Sequence, residues 1–257
     1  MPDVLFAHPR WDYQSYADYK HLVELSGFKS CYMDEMDLES DNTYIFSTPD
    51  THWHHGWNKP RARIIGFIFE WYLDVDYRRI PGVELWSADK WYAERIGAKY
   101  VPMGSHPALN PNPDNDYEKR YDVATLWAQS GNRYHAEDLM QRMGMTRAPN
   151  GWGDERHAIL SQSRMMVAVH QYPEACTVAP QRWALAAAYK LPVISERLAD
   201  AGILERVTIQ TDLESIGFVA ASWLEAGNLG KLAAKGQALH NLLCHEYTFR
   251  IGVEKAL

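Results

Sequence analysis

Short apolar runs alternate with amphipathic stretches along the whole chain. Val4–Ala7 is an apolar run that ends at His8-Pro9, and a polar, aromatic loop (RWDYQSY) follows it. A helix near Tyr16–Ser26 is closed by Gly27. Tyr44–Ser47 reads as a second strand and runs into the loop THWHHGWNKP. Arg63–Phe69 (RIIGFIF) has the β-branched, unbroken apolar character of a parallel strand buried on both faces. Val83–Trp86 is a fourth strand, and Ser87 is placed to cap a helix over Asp89–Ile96 that stops at Gly97. Tyr100–Met103 completes the series as a fifth strand. The run DEMDLESD at 34–41 holds five acids in eight positions and reads as a solvated loop or helix edge.

The pattern then breaks. PALNPNPDND, residues 107–116, offers little to bury and is the best linker in the chain. Beyond it the alternation restarts. The spacing predicts a strand over Asp122–Trp127, a turn over Gln129–Asn132 and a helix over Arg133–Met143. Next come a helix over Glu155–Ser163, a strand over Met165–His170, a helix over Pro180–Tyr189 and a strand over Leu191–Ser195. A last strand, Val207–Gln210, precedes helices over 212–226, 228–243 and 245–257. Strands alternating with helices imply βαβ units and parallel sheets. Two such series imply an α/β protein of two Rossmann-like domains facing a cleft, 1–112 and 113–257. Ligands in such sheets bind beyond the carboxyl ends of the strands.

Composition narrows the field. The chain has 257 residues, is 46% hydrophobic and 23% charged, and carries a net charge of −7. That is ordinary for a folded soluble protein. No uncharged stretch approaches a membrane span, and the first residues lack the basic and apolar regions of a secretory signal, so the cytoplasm is expected. Three scattered cysteines, Cys31, Cys176 and Cys244, fit a reducing compartment rather than a disulfide framework. Residues 1–110 hold eleven Lys and Arg against sixteen Asp and Glu, so a phosphate-gripping nucleic-acid surface would have to be local. There are 10 Trp and 15 Tyr, suited to stacking on a sugar or base and equally to a large core.

The chain has no GxGxxG, no GxxxxGK[ST] and no GxSxG, so the signatures of dinucleotide, P-loop and α/β-hydrolase enzymes are missing. HEYTF at 245–249 does not complete HExxH. The loop His52-Trp53-His54-His55 could hold a metal, contact substrate or simply be a loop, and the spacing of the HxHxDH hydrolases is absent. The richest stretch runs from Thr177 to Ser195. A helix starts there just after a strand and loop, where free backbone N–H groups and the helix dipole favour an anion, and Arg182 in its first turn suits a phosphate. A plain surface arginine beside an Ala-rich core helix explains the same residues.

RWALAAAYKLPVIS resembles the RxFEALAxGxPVIS segment in the C-terminal domain of GT-B glycosyltransferases, the two-Rossmann nucleotide-sugar enzymes. YDVATLWAQSGNRYHAEDLMQRM resembles the strand, turn and helix that open that domain, and ILSQSRMMVAVHQYPE the helix and strand before its donor loop. CHEYTFRIGVEKAL resembles the closing helix of the spore-maturation CgeB-like branch, and VELWSADKWYAERIGAKYVPMGSHPAL the end of its acceptor domain. The likeness covers most of residues 83–257. The glutamate pair of many retaining families is replaced by Thr177 and Leu185, which removes the usual ribose contact, and Lys190 stands where the family has glycine.

The resemblance implies a UDP- or GDP-sugar donor and no bound metal or other cofactor. Donor contacts would come from Ser130, Gly131, Asn132, Arg133, His170, Thr177, Pro180, Gln181 and Arg182. An inverting transfer needs a base from a strand-end loop of the first half, with Glu70, Asp74, Asp12, His52 and His54 as candidates. The acceptor would be a glycan, a small molecule, a protein or a hydroxylated DNA base, the last in the manner of small phage enzymes that modify DNA. WHHGWNKPRAR would then serve the DNA. A non-catalytic nucleotide- or glycan-binding module and a sugar-nucleotide epimerase of similar fold are the rival readings.

Overall fold

The computed structural model describes residues 3–10, 14–47, 60–69, 82–113, 117–127, 130–151, 153–170 and 180–257. In the first half β1 (Val4–His8), β2 (Lys29–Tyr32), β3 (Thr43–Ser47), β4 (Arg63–Ile68), β5 (Val83–Ser87) and β6 (Lys99–Tyr100) form one sheet in the order β2-β1-β3-β4-β5-β6. Every pairing is parallel. Helices α1 (Gln14–Leu25) and α2 (Lys90–Ile96) are its crossovers. In the second half β7 (Tyr121–Ala124), β8 (Ser163–Ala168), β9 (Val193–Glu196) and β10 (Ile209–Thr211) form a separate parallel sheet, β10-β9-β8-β7. On the far side of β7 a single parallel bridge joins Val123 to Arg147. Helices α3 (Gly131–Arg142), α4 (Asp154–Ser161), α5 (Pro180–Ala188), α6 (Ile216–Leu224), α7 (Leu229–Asn241) and α8 (Phe249–Ala256) complete this half.

Several expectations shift. β2 falls where the apolar pattern is silent, because KSCY is a half-exposed edge strand with little to bury. The acid run 34–41 is the solvated stretch expected, half-exposed or more at each paired carboxylate, and it carries surface ion pairs. Arg10 bonds Asp34 at 2.6 Å and Glu35 at 2.8 Å, and Arg61 bonds Asp41. The cap of α2 is Asp89, whose carboxylate accepts from the Tyr92 N–H at 2.7 Å. Ser87 instead bonds the Asp89 backbone from a fully buried position. β6 stops at Tyr100, leaving Val101 and Met103 buried but outside the ladder. Of the turn expected at Gln129–Asn132, Gln129 lies outside the described residues, Ser130 is the N-cap of α3, and Gly131 and Asn132 are its first residues.

One core runs through both halves. Phe6 and Tyr19 from the first half share a cluster with Trp183 and Leu243 from the second. Helix α8 returns to the first sheet, where Phe249 packs on Phe6 at 5.5 Å, Tyr19 at 5.8 Å and Phe67 at 6.3 Å between ring centres. Across the junction, Ser105 Oγ donates to the Ala184 carbonyl at 2.6 Å, and Lys90 pairs with Asp200 at 2.6 Å.

Helix α5 ends in a Schellman turn, with the Leu191 N–H bonding the Ala186 carbonyl and the Lys190 N–H that of Ala187. The turn places Lys190 at φ +54°, a left-handed conformation that side chains resist. Lys190→Gly should therefore raise stability by about 0.5–1 kcal/mol, the αL relief less the glycine entropy. Urea unfolding checks it; an unchanged or lower midpoint would show that the turn carries no strain.

Candidate functional site

The site is built at the carboxyl edge of the second sheet. Its strand β7 lies between β8 on one side and the Arg147 bridge on the other, so connections leave it in opposite directions and a crevice opens at its end. Thr125 follows β7 directly, and Leu126 follows in a left-handed conformation at φ +45°, a strained backbone of the kind found at functional turns. Helix α3 then begins. Ser130 caps it without a side-chain capping bond. Thr125 Oγ1 and Ser130 Oγ are buried and have no hydrogen-bond partner among the described residues. A Cβ added at Gly131, the first helical residue, would meet no atom within 4 Å. Two unengaged hydroxyls and an uncrowded helix N-terminus have the chemistry that suits an anion.

Arg133, in the first turn of α3, is buried. Its Nε donates to the Val169 carbonyl at 3.4 Å, and its guanidinium lies 5.8 Å from the centre of the Trp127 ring. On the adjacent strand, His170 follows β8. Its Nε2–H donates to the Arg197 carbonyl at 2.9 Å, which leaves Nδ1 as the acceptor, and its backbone N–H bonds Glu196. Helix α5 starts at the same edge with Pro180 buried and Gln181 and Arg182 half-buried. Leu185 packs in the core at 3% exposure, so no polar contact to a ribose comes from that turn. Ser130, Gly131, Asn132, Arg133, His170, Pro180, Gln181 and Arg182 thus gather along two neighbouring strand ends, β7 and β8. Thr177, Asp12, His52, His54, Glu70 and Asp74 lie outside the described residues.

The first sheet faces this edge. A groove of about 730 Å³ is lined by Lys90 and Tyr100, at the ends of β5 and β6, and by Arg197, Asp200, Arg206 and Gln210 beyond β9. Nothing in the sequence pattern marks this groove or Thr125. A lone threonine carries no signal until a strand end and a helix start surround it.

No protein-family model and no curated protein matches the sequence. Solved structures do match in shape. The DNA-modifying enzyme β-glucosyltransferase, solved with and without its substrate uridine diphosphoglucose, aligns over 100% of this chain and 99% of its own at TM-score 0.56 and 9% identity. T4 phage BGT in complex with UDP-glucose aligns over 100% and 99% at TM-score 0.53 and 8% identity. AviGT4, a glycosyltransferase of avilamycin A biosynthesis, aligns over 99% and 96% at 0.55 and 11%. The chain has the GT-B fold.

Proposed function

We propose that this GT-B protein is a nucleotide-sugar glycosyltransferase, with a UDP-sugar donor bound along the β7 and β8 ends and the acceptor held by the first half. The carrying observation is the carboxyl edge of the second sheet: two helix N-termini follow adjacent strands, and the Thr125 and Ser130 hydroxyls at the first of them are unengaged. Departure of a nucleoside diphosphate places its charge there, and fixed donors aimed at developing charge are the largest catalytic contribution in such a transfer. The α3 and α5 starts and Arg182 would neutralise the leaving group without a metal. The division into an acceptor unit, 1–112, and a donor unit, 113–257, fits this arrangement, with α8 lent back to the acceptor side.

The missing glutamate pair at Thr177 and Leu185 favours an inverting transfer, with the base supplied from the first half. Asp12, Glu70, Asp74, His52 and His54 remain its sequence candidates. The acceptor is a hydroxyl, on a glycan or small molecule or on a modified DNA base. Free thiols at Cys31 and Cys244 fit a reducing cytoplasm.

The test is nucleotide binding. UDP at 100 times its dissociation constant should stabilise the fold by ~2.7 kcal/mol. Arg182→Ala should weaken UDP binding by about 1.5–3 kcal/mol, the scale of a lost hydrogen bond to a charged group, with the unfolding midpoint little changed. Calorimetry showing equal UDP affinity in both proteins would remove Arg182 from the donor site. No binding of UDP, UDP-glucose or GDP would overturn the reading and favour an unrelated ligand.

A further inference from the structure

The groove of about 730 Å³ crosses from the first half to the second. One wall is Lys90, which opens α2, and Tyr100, which ends β6, the edge strand of the first sheet. The other wall is the segment that follows β9, from Arg197 to Arg206, with Gln210 on the edge strand β10. That segment is pinned at four points. Lys90 Nζ donates to one oxygen of Asp200 at 2.6 Å, and the Gly202 N–H donates to the other at 2.8 Å. The Leu198 N–H donates to Gln210 Oε1 at 3.0 Å, and the Ile203 N–H to the Tyr100 oxygen. The walls are thus fixed before a ligand enters, which lowers the cost of binding one.

The lining chooses among ligands. Arg197 and Arg206 share it with Asp200 and Glu205. A phosphate chain would gain from the cations and lose to the carboxylates, and Lys90 and Arg197 are already paired, with Asp200 and Asp212. A nucleobase wants flat aromatic faces. The apolar lining is aliphatic, as at Leu198 and Ile203, and Tyr100 is its one ring among the described residues. A sugar hydroxyl both donates and accepts, and the groove offers both kinds of partner. Asp200 and Glu205 supply acceptors. Gln210 Nε2 donates to Glu205 at 2.9 Å and has a second N–H to give. Burial pushes the Tyr100 phenol up to about 12, so it keeps a proton to donate. The groove also adjoins the proposed donor edge. The Arg197 carbonyl accepts from His170 Nε2, beyond the end of β8, at 2.9 Å. A narrow pocket shares Lys90, Tyr100 and Ile203 with the groove and runs to Pro180, the first residue of α5.

We propose that this groove is an acceptor subsite for a saccharide chain, holding the sugars next to the one whose hydroxyl is glycosylated. Its role as an acceptor site rests on the glycosyltransferase reading, and it selects a glycan over a DNA base. The experiment titrates the nitrogen-15-labelled full chain with tetrasaccharides of glucose, N-acetylglucosamine, mannose and rhamnose, and with a short DNA duplex carrying hydroxymethylated cytosine. UDP affinity is measured beside it. At least one tetrasaccharide should move the amide signals of Leu198, Gly202 and Ile203 saturably. Glu205 and Arg206 are exposed, so their removal spares the core. Glu205→Ala and Arg206→Ala should each weaken that binding about tenfold, the scale of a lost hydrogen bond to a charged group, with UDP affinity within about threefold of the parent. If UDP binds but no tetrasaccharide moves these amides, the subsite is wrong and the donor reading stands. Saccharide binding that neither variant weakens also overturns the subsite. A duplex that moves the same amides, alone or more tightly than every saccharide, overturns it in favour of nucleic acid. A chain that binds a saccharide here and no nucleotide loses the acceptor role together with the glycosyltransferase reading.

Discussion

Asp18→Ala should destabilise the chain by about 3 kcal/mol, the low end for leaving a buried charge without its partner. Asp18 on α1 and Arg156 on α4 form an ion pair between the two halves, with side chains 16% and 8% exposed. Burial pulls the Arg156 guanidinium below its usual range, and Asp18 works against that pull. Arg156 also donates to the Gly151 carbonyl at 3.3 Å, so it is held in place and cannot swing out to water. Alanine at 18 removes this countercharge and keeps the guanidinium buried. Adding Arg156→Leu should recover much of the loss, because buried ion pairs are often replaceable by apolar packing. Urea unfolding of the single and double variants measures both steps. A single variant within about 0.5 kcal/mol of the parent, the range of neutral surface changes, would mean that the pair is solvated and plays no part in joining the halves.

A comparable effect is expected from Gly104→Ala. A Cβ at 104 would lie 2.0 Å from the Tyr247 carbonyl oxygen and 2.3 Å from the Phe249 nitrogen. These are backbone atoms of the segment that delivers α8 to the first sheet, so no rotamer change relieves the overlap. Residue 105 cannot give way either. Its N–H bonds the Leu243 carbonyl at 2.8 Å and its hydroxyl bonds Ala184. The clash must move α8, and with it Phe249 from its aromatic seat. The cost should reach about 3 kcal/mol, the upper part of the overpacking range, or roughly 6–12 °C in Tm for a chain of this size. Gly227→Ala is the control, since its added Cβ meets nothing within 4 Å. Equal midpoints for Gly104→Ala and the parent would show that the α8 junction is loose.

These two sites show where sequence reading reaches its limit. Both halves were legible because a parallel strand buried on two faces must be an apolar run, and RIIGFIF and RMMVAV are such runs. Helix α5 was legible because alanines and a proline in the first turn favour a helix there. β2 was not, since an edge strand needs few apolar residues. The cap of α2 was misplaced by two residues, because Ser87 and Asp89 are both good caps and only the fold shows which one faces the helix N–H groups. The donor candidates at 130–133, 170 and 180–182 were picked by their place after strands, and the structure sets them at the ends of β7 and β8 and at the start of α5. The five base candidates lie outside the described residues.

Order along the chain thus carried the fold class, the two sheets and the choice of the carboxyl edge of the second as the candidate anion site. All three follow from local periodicity and from the rule that parallel strands put their ends, and their helix starts, on one edge. What local pattern cannot hold is a contact between distant residues. Asp18 meets Arg156 across 138 positions, and Lys99 reaches the Ala256 carbonyl across 157. The path of α8 back to the first sheet, the groove lined by Lys90 and Asp200, and the nitrogens of His8, unengaged among the described residues, are of the same kind. Each depends on what is missing or present beside a residue in space, and burial alone converts an ordinary serine, threonine or histidine into a group that needs a partner.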